Sequence, residues 1–232
     1  MSNHDGHRQR LRERFLAEDL DNFNDHQVLE IMLFHSIPRK DTNEIAHDLL
    51  KRFRTLKGVL EAPVEELKKV PGVGENTAVF LSILNSFCRY YRVAELPKDE
   101  PLNTVGKCAE QLLPHFSGKR HEMVCLLCLD AKCKPICCYK VGEGSVNSAA
   151  VPIRKIVEMA LNADASSVVL AHNHPSGIAI PSGEDVQTTK RLAMALQAVD
   201  IVLADHFVVA DGDWVSMVQS NMYHPNAEYV LI

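Results

Sequence analysis

The spacing of the apolar residues changes partway along this chain of 232 residues. Up to about residue 95 they recur at helical intervals, as Ile45, Leu49 and Phe53 do on one face, and no alternating strand pattern occurs. Beyond about residue 103, short apolar runs such as Met123–Leu129 are separated by helical patterns, which indicates buried strands between helices. The chain is therefore predicted to fold as an all-α helical domain followed by an α/β domain.

Two prolines and a polar composition mark the boundary between these domains. The segment 96–103 reads Leu-Pro-Lys-Asp-Glu-Pro-Leu-Asn, which is typical of a linker. Residues 1–95 are then the helical domain and residues 104–232 the α/β domain, and both have the usual size of a domain.

The elements of the second domain are predicted from its apolar runs and turn residues. Helices are expected after Thr104, after Pro152 and from about Gly183 to Val199. The expected strands are Met123–Leu129, a strand that ends near Lys140 before Gly142 and Gly144, Ser167–Ala171, Ile201–Leu203, and Phe207–Val209 before a hairpin turn at Asp211-Gly212.

Composition excludes several classes of protein. The apolar fraction of 46% and the charged fraction of 24% are those of a folded globular protein. A net charge of −5 provides no overall attraction for nucleic acid, and no segment approaches the run of about 20 apolar residues that a membrane span requires. The N-terminal residues lack the apolar core of a secretory signal, so we expect a cytoplasmic protein without membrane contact. The odd number of cysteines, seven, favours reduced thiols over a disulfide framework.

Residues 171–185, Ala-His-Asn-His-Pro-Ser-Gly-Ile-Ala-Ile-Pro-Ser-Gly-Glu-Asp, contain a candidate metal site. His172 and His174 are separated by one residue at a strand end, so both rings point to the same side. Asp185 lies at the start of the next helix, and the intervening loop can return its carboxylate to the strand end as a third ligand. The alternative is that both histidines are polar strand-end residues and that Ser182 and Asp185 form only a helix capping box.

Three protein ligands would leave the fourth position of a tetrahedral zinc ion open to water. An open position is typical of catalytic zinc, which lowers the pKa of bound water to roughly 7 and provides hydroxide at neutral pH. The predicted chemistry is therefore hydrolysis with one Zn²⁺ ion in each chain.

The pattern His-x-His-Pro followed by Ser-x-x-Asp resembles the JAMM motif of the MPN (JAB) domain, which has a mixed β-sheet flanked by helices. The resemblance implies that the two histidines and the aspartate bind zinc and that Ser182 stabilises the oxyanion. It also implies a glutamate general base on an early strand, and Glu122, directly before Met123–Leu129, fits that position. Glu143 is the competing candidate, although its flanking glycines indicate an exposed turn.

Two other metal chemistries fit the sequence poorly. Cys125 and Cys128 lie three residues apart in a predicted strand and so face opposite sides, which is poor geometry for one ion. We therefore expect no second zinc ion or iron–sulfur cluster in the group Cys125–Cys138. A zinc deaminase requires His-x-Glu and a later Pro-Cys-x-x-Cys, whereas position 174 is histidine and no cysteine follows Cys138.

The helical domain contains a candidate DNA-contacting segment. Residues 65–81 predict two helices joined by a tight turn through Gly72 and Gly74. This segment, within about 55–88, resembles the helix-hairpin-helix module, which contacts DNA phosphates through backbone amides. Glu75 and Asn76 stand where such a module would gain from basic residues, so only weak, non-specific DNA contact is expected. The alternative is a hairpin that packs the domain or docks a partner.

Nearly the whole chain resembles the bacterial RadC family. The resemblance rests on residues 7–15 and 38–43, the hairpin, Glu122 and the JAMM motif. Together with the JAMM motif it implies a zinc metallopeptidase or isopeptidase that acts on an unknown protein or peptide. Substrate specificity is expected to lie in loops such as 140–150 and 175–182. A non-catalytic DNA-associated repair or recombination adaptor is the alternative, and a hydrolase delivered to DNA-bound proteins combines the two. His206, on a strand of that family, is expected to be a hydrogen-bonded core histidine, and the alternative is that it approaches the site.

Overall fold

The computed structural model describes residues 3–144 and 152–225, with side chains from residue 6 onward. The chain divides into two compact units, Met1–Tyr90 and Tyr91–Ile232. The limits 1–95, 96–103 and 104–232 remain a prediction, and residues 145–150 of one predicted specificity loop lie outside the described residues. None of the described helices has the length and apolar character that a membrane crossing requires.

The first unit is built from helices, as the sequence predicts. Its elements are α1 (Asn3–Glu18), α2 (Asp25–Ser36), α3 (Asn43–Phe53), α4 (Leu56–Leu60), α5 (Val64–Leu67) and α6 (Glu75–Ala94), of which α6 continues past the end of the unit. Leu33 of α2, Leu49 of α3 and Leu81 of α6 are fully buried in one apolar core. Ile45 belongs to the same core, so the helical face predicted from the sequence is the buried face of α3.

Gly72, in the turn between α5 and α6, has a left-handed backbone with φ of +84°. A Cβ at this position would lie 2.7 Å from Cδ1 of Ile45, so alanine would add both backbone strain and overlap with the core. We expect Gly72→Ala to lower the free energy of unfolding of this unit by about 1–3 kcal/mol, measured by urea unfolding followed by circular dichroism.

Gly74→Ala is the matched control for this prediction. A Cβ added at Gly74 has no neighbouring atom within 4 Å. Its substitution is expected to lower the free energy of unfolding by less than about 1 kcal/mol. Equal losses from the two variants would contradict the role that we assign to the contact between Gly72 and Ile45.

The second unit is a mixed β-sheet with helices. Its elements are α7 (Val105–Phe116), β1 (Met123–Leu129), β2 (Pro135–Glu143), α8 (Ile153–Asn162), β3 (Ser167–Asn173), α9 (Gly183–Gln197), β4 (Val202–Ala210) and β5 (Asp213–Ser216). The strand order is β2-β1-β3-β4-β5, in which β3 and β4 are parallel and the other neighbours are antiparallel. The prediction of a mixed sheet flanked by helices is confirmed.

Side chains alternate between the two faces of this sheet and meet helices on both. On one face, Leu127 of β1 packs in a cluster with Leu112 of α7. On the other face, Leu126 of β1 packs in a cluster with Ile156 of α8 and Leu192 of α9. Helix α9 therefore lies on the face that receives the even-numbered side chains of β1 and β3.

Two strand limits predicted from the sequence are wrong. The runs 201–203 and 207–209 belong to one strand, β4. The carboxylate of Asp205, at the predicted break, accepts hydrogen bonds from the Ser216 hydroxyl and the Val218 amide, so this polar group is satisfied inside the sheet and the strand continues. Strand β2 likewise continues beyond Lys140, because Gly142 pairs with β1 and does not break the ladder.

Candidate metal centre

Residues from three segments of the chain come together at one end of the strands β1 and β3. Val124 of β1 pairs with His172 of β3, and these strands are antiparallel. The start of β1 therefore lies beside the end of β3, which brings Glu122, just before β1, close to His174, just after β3. The first turn of α9 lies on the same face as these even-numbered residues and adds Asp185.

The structure places His172, His174 and Asp185 in one cluster. The two Nε2 atoms are 2.9 Å apart. Nε2 of His172 lies 3.4 Å from Oδ1 of Asp185, and Nε2 of His174 lies 3.6 Å from Oδ2. The potential ligand atoms all lie within 4.8 Å of one another, and residues 3–144 and 152–225 contain no second group of this kind.

The spacing of these atoms suits a tetrahedral cation. Two ligand atoms that are each about 2.0–2.2 Å from a zinc ion lie roughly 3.3–3.5 Å apart. Each histidine nitrogen lies at about this distance from one carboxylate oxygen, that of His172 at 3.4 Å from Oδ1 and that of His174 at 3.6 Å from Oδ2. The imidazole nitrogens, 2.9 Å apart, would have to move slightly apart around an ion. Two imidazoles and one carboxylate are a ligand set that zinc accepts with one position left open.

Both imidazoles offer nitrogen atoms to this cluster. Nδ1 of His174 lies 3.1 Å from the carbonyl oxygen of Ile178, which can only accept, so Nδ1 carries the hydrogen. With hydrogen on Nδ1, the Nε2 atom of His174 is the nitrogen that faces the other two residues and can offer a lone pair to a metal ion. Burial lowers the pKa of His172 to about 4, although Asp185 opposes this shift, so the His172 ring is neutral near pH 7.

The capping box predicted at the start of α9 is present and also orients the aspartate. Oδ2 of Asp185 accepts hydrogen bonds from the Ser182 amide at 2.7 Å and the Ser182 hydroxyl at 2.6 Å. The Asp185 amide in turn donates to Oγ of Ser182 at 3.1 Å. Capping and metal binding are therefore compatible uses of the same side chain. The oxyanion role of Ser182 remains a prediction, because its hydroxyl proton here points to Asp185.

The backbone on both sides of Glu122 is fixed by Asn173, the residue between the two histidines. Oδ1 of Asn173 accepts a hydrogen bond from the Met123 amide at 2.8 Å. Nδ2 of Asn173 donates to the carbonyl oxygen of His121 at 3.2 Å. These bonds connect the end of β3 to the start of β1, so the position of Glu122 relative to the histidines is tightly defined.

Glu122 has the electrostatic surroundings of a proton acceptor. It lines a small cleft with His172 and Asp185. Partial burial raises the pKa of Glu122, the neighbouring His174 opposes this rise, and the Asp185 carboxylate adds to it. A carboxylate with a raised pKa is a stronger base than an ordinary glutamate, which favours its use in proton transfer near neutral pH.

Two further residues contact the cluster, and the motif does not include them. Nδ1 of His172 lies 2.8 Å from Nε2 of His206, whose Nδ1 lies 2.6 Å from the hydroxyl of Thr189. The expectation that His206 is a buried, hydrogen-bonded histidine is confirmed, but its partner is a candidate metal ligand. Thr189 follows Asp185 by four residues and so lies on the same face of α9. This spacing is the feature of the sequence that could have identified Thr189.

Glu143, the competing candidate for the base, is held in ion pairs. Its two carboxylate oxygens accept hydrogen bonds from Nζ of Lys119 and Nζ of Lys140, both at 2.8 Å. These bonds lower the pKa of Glu143 to about 2, which makes it a weak proton acceptor. All seven cysteines are free thiols.

The positive charges beside the Gly72–Gly74 turn are matched by carboxylates. Lys68 lies 2.6 Å from Glu75 and 3.2 Å from Glu65. Lys69 and Arg52 both form ion pairs with Glu66. A phosphate group would have to compete with these glutamates for the same cations, which disfavours binding of a polyanion.

Comparison with known proteins assigns both parts of the chain. Residues 102–222 match the model of a family described as RadC-like JAB domain. Residues 5–79 match a second model, described as UPF0758 N-terminal. The helical region and the mixed sheet thus each correspond to a known family.

Relatives match this chain across both regions. A UPF0758 protein of Stenotrophomonas maltophilia is 33% identical over 218 residues, which cover 94% of this chain and 93% of the relative. A UPF0758 protein of Alteromonas mediterranea is 30% identical over 215 residues, or 92% and 95% of the two chains. A third, of Fusobacterium nucleatum, is 30% identical over 226 residues, or 94% and 97%.

Proposed function

Because this chain belongs to the UPF0758 family of RadC-like JAB-domain proteins, we propose that it is a zinc-dependent hydrolase of the JAMM type that cleaves peptide or isopeptide bonds. The observation that carries this proposal is the convergence of His172, His174 and Asp185 beside Glu122. The substrate class is a protein or peptide, since the chemistry proposed is the hydrolysis of an amide.

Each residue of the cluster has a distinct part in this proposal. Zinc bound here would polarise the scissile carbonyl and lower the pKa of water to roughly 7. His172, His174 and Asp185 hold the ion. Glu122 accepts a proton from the attacking water and passes it to the leaving amine, first as base and then as acid. Ser182 donates to the oxyanion once its hydroxyl turns from Asp185.

A non-catalytic DNA-associated adaptor is the alternative function. It would use the backbone amides at the Gly72–Gly74 turn to contact phosphates. The ion pairs of Lys68 and Lys69 with glutamates weaken this alternative, whereas the cluster of His172, His174 and Asp185 favours hydrolysis. Binding to double-stranded DNA that weakens steeply with rising salt, together with absence of hydrolysis, would favour the adaptor.

Metal content is the first test of the proposed hydrolase. We expect protein purified without added metal to contain about one zinc ion per chain by elemental analysis, because three potential ligand atoms already lie within 4.8 Å of one another. Removal with a chelator and titration with Zn²⁺ should restore the same stoichiometry. Less than about a tenth of an equivalent, with no uptake on titration, would contradict the proposal.

A further inference from the structure

A buried chain of hydrogen bonds connects helix α9 to the His172 ring of the candidate metal site. The hydroxyl of Thr189 donates to the backbone carbonyl of Asp185 at 2.6 Å. The same oxygen lies 2.6 Å from Nδ1 of His206 and 3.3 Å from Sδ of Met217. Nε2 of His206 lies 2.8 Å from Nδ1 of His172. Thr189 and His206 are both almost completely buried.

The direction of these bonds follows from the groups at one end. A carbonyl oxygen only accepts, and a hydroxyl has a single proton to give. The 2.6 Å contact with the Asp185 carbonyl therefore takes the proton of Thr189, since two oxygens at that distance would otherwise repel each other. Oγ1 of Thr189 is then an acceptor, so Nδ1 of His206 carries a hydrogen.

A charged His206 would be a buried imidazolium with no carboxylate against either ring nitrogen, which is costly, so the geometry favours the neutral ring and its other nitrogen accepts. Its two ring nitrogens face Thr189 and His172, and the nearby Asp205 carboxylate is engaged by the Ser216 hydroxyl and two backbone amides. With hydrogen on Nδ1, Nε2 has a lone pair and accepts from Nδ1 of His172.

We propose that Thr189 and His206 are positioning residues that hold His172 in the tautomer with hydrogen on Nδ1, so that its Nε2 has the lone pair that binds the metal. This inference rests on the proposed zinc site. The carbonyl of Ile178 imposes the same tautomer on His174. In these tautomers the two Nε2 atoms, 2.9 Å apart, are the nitrogens that offer lone pairs, and a cation bound to both removes the repulsion between them.

The same arrangement couples the third ligand to the first. Asp185 offers its carboxylate to the metal and its backbone carbonyl to Thr189, whose hydroxyl orients His206 and through it His172. A change at Thr189 therefore acts on His172 without altering a ligand. Outer hydrogen bonds of this kind typically change metal affinity by about 10–100-fold when they are lost.

Thr189→Val and Thr189→Ser form a matched pair that tests the proposal. Valine keeps the shape but has no hydroxyl, so His206 can shift its hydrogen to Nε2 and force His172 into the opposite tautomer. We expect Thr189→Val to weaken zinc binding by about 10–100-fold, measured by competition with a chromophoric chelator. Thr189→Ser keeps the hydroxyl and should stay within about threefold of the natural protein.

A second readout distinguishes tautomer control from a general loss of stability. In ¹⁵N-labelled, zinc-free protein, two-bond ¹H–¹⁵N correlation spectra report which nitrogen of His172 carries hydrogen. We expect hydrogen on Nδ1 in the natural protein and in Thr189→Ser, and a mixture in Thr189→Val. Unchanged tautomer and zinc affinity in Thr189→Val, with only a lower unfolding midpoint, would overturn the proposal.

Variants of His206 give an independent check if Thr189→Val does not fold. The amide oxygen of His206→Gln can still accept from Nδ1 of His172, whereas His206→Leu cannot. Zinc affinity should therefore be retained better in the glutamine variant, and equal affinities would contradict the proposal. If the natural protein binds zinc but hydrolyses no peptide, the proposed function is wrong, whereas this inference about zinc binding is unaffected.

Discussion

Glu122→Gln is expected to lower the rate of hydrolysis by roughly 10²–10⁴-fold and to leave zinc bound. Glutamine has nearly the same size as glutamate, but its amide cannot accept a proton from the attacking water. Glu122 is not one of the three clustered ligands, so the metal site should stay intact. The measurement is mass spectrometry of peptides cleaved from a proteome-derived library, followed by initial rates on one cleaved peptide.

Glu143→Gln is the matched control, because it removes the other carboxylate considered for the base. Glu143 is bound by Lys119 and Lys140, so its loss should leave the rate within about threefold of the natural protein. The opposite pattern, in which Glu143→Gln is inactive and Glu122→Gln is active, would assign the base to Glu143. Zinc content is measured in both variants, because loss of the ion from Glu122→Gln would make its inactivity uninformative about proton transfer.

The sequence could predict that the candidate ligands come together because they obey local geometry. Residues two apart in a strand share a face, which places His172 and His174 on one side without knowledge of the rest of the fold. The capping pattern of Ser182 and Asp185 similarly locates the first turn of α9. Glu122 required the family resemblance, since nothing in the spacing of residues indicates which strands become neighbours in the sheet.

The contacts of His206 and Thr189 with the candidate ligands could not be predicted from local geometry because they depend on contacts between distant segments. His206 reaches His172 only because β3 and β4 are parallel neighbours. Thr189 reaches His206 only because α9 packs on that face of the sheet. The continuity of β4 was missed for the same reason, since the partners of Asp205 lie 11 and 13 residues further along the chain.

His174→Ala is expected to abolish the stabilisation of the second unit by zinc. A ligand at about 1,000 times its dissociation constant adds roughly 4 kcal/mol to the free energy of unfolding. For a unit of this size, that corresponds to a rise in Tm on the order of 10 °C. With His174 removed, only His172 and Asp185 remain, and two ligands do not hold a zinc ion firmly. Thermal unfolding with and without Zn²⁺ measures the difference.

The zinc-free state separates loss of the metal from damage to the fold. The His174 side chain is 20% exposed, so His174→Ala should change the Tm in the presence of a chelator by only a few degrees. His121→Ala is the control, because it removes an exposed imidazole next to Glu122 that is not among the clustered ligands. It should keep the full response to zinc. If zinc still stabilises His174→Ala as strongly as the natural chain, the metal binds at another place in the protein. The proposal of hydrolysis at His172, His174 and Asp185 would then be wrong.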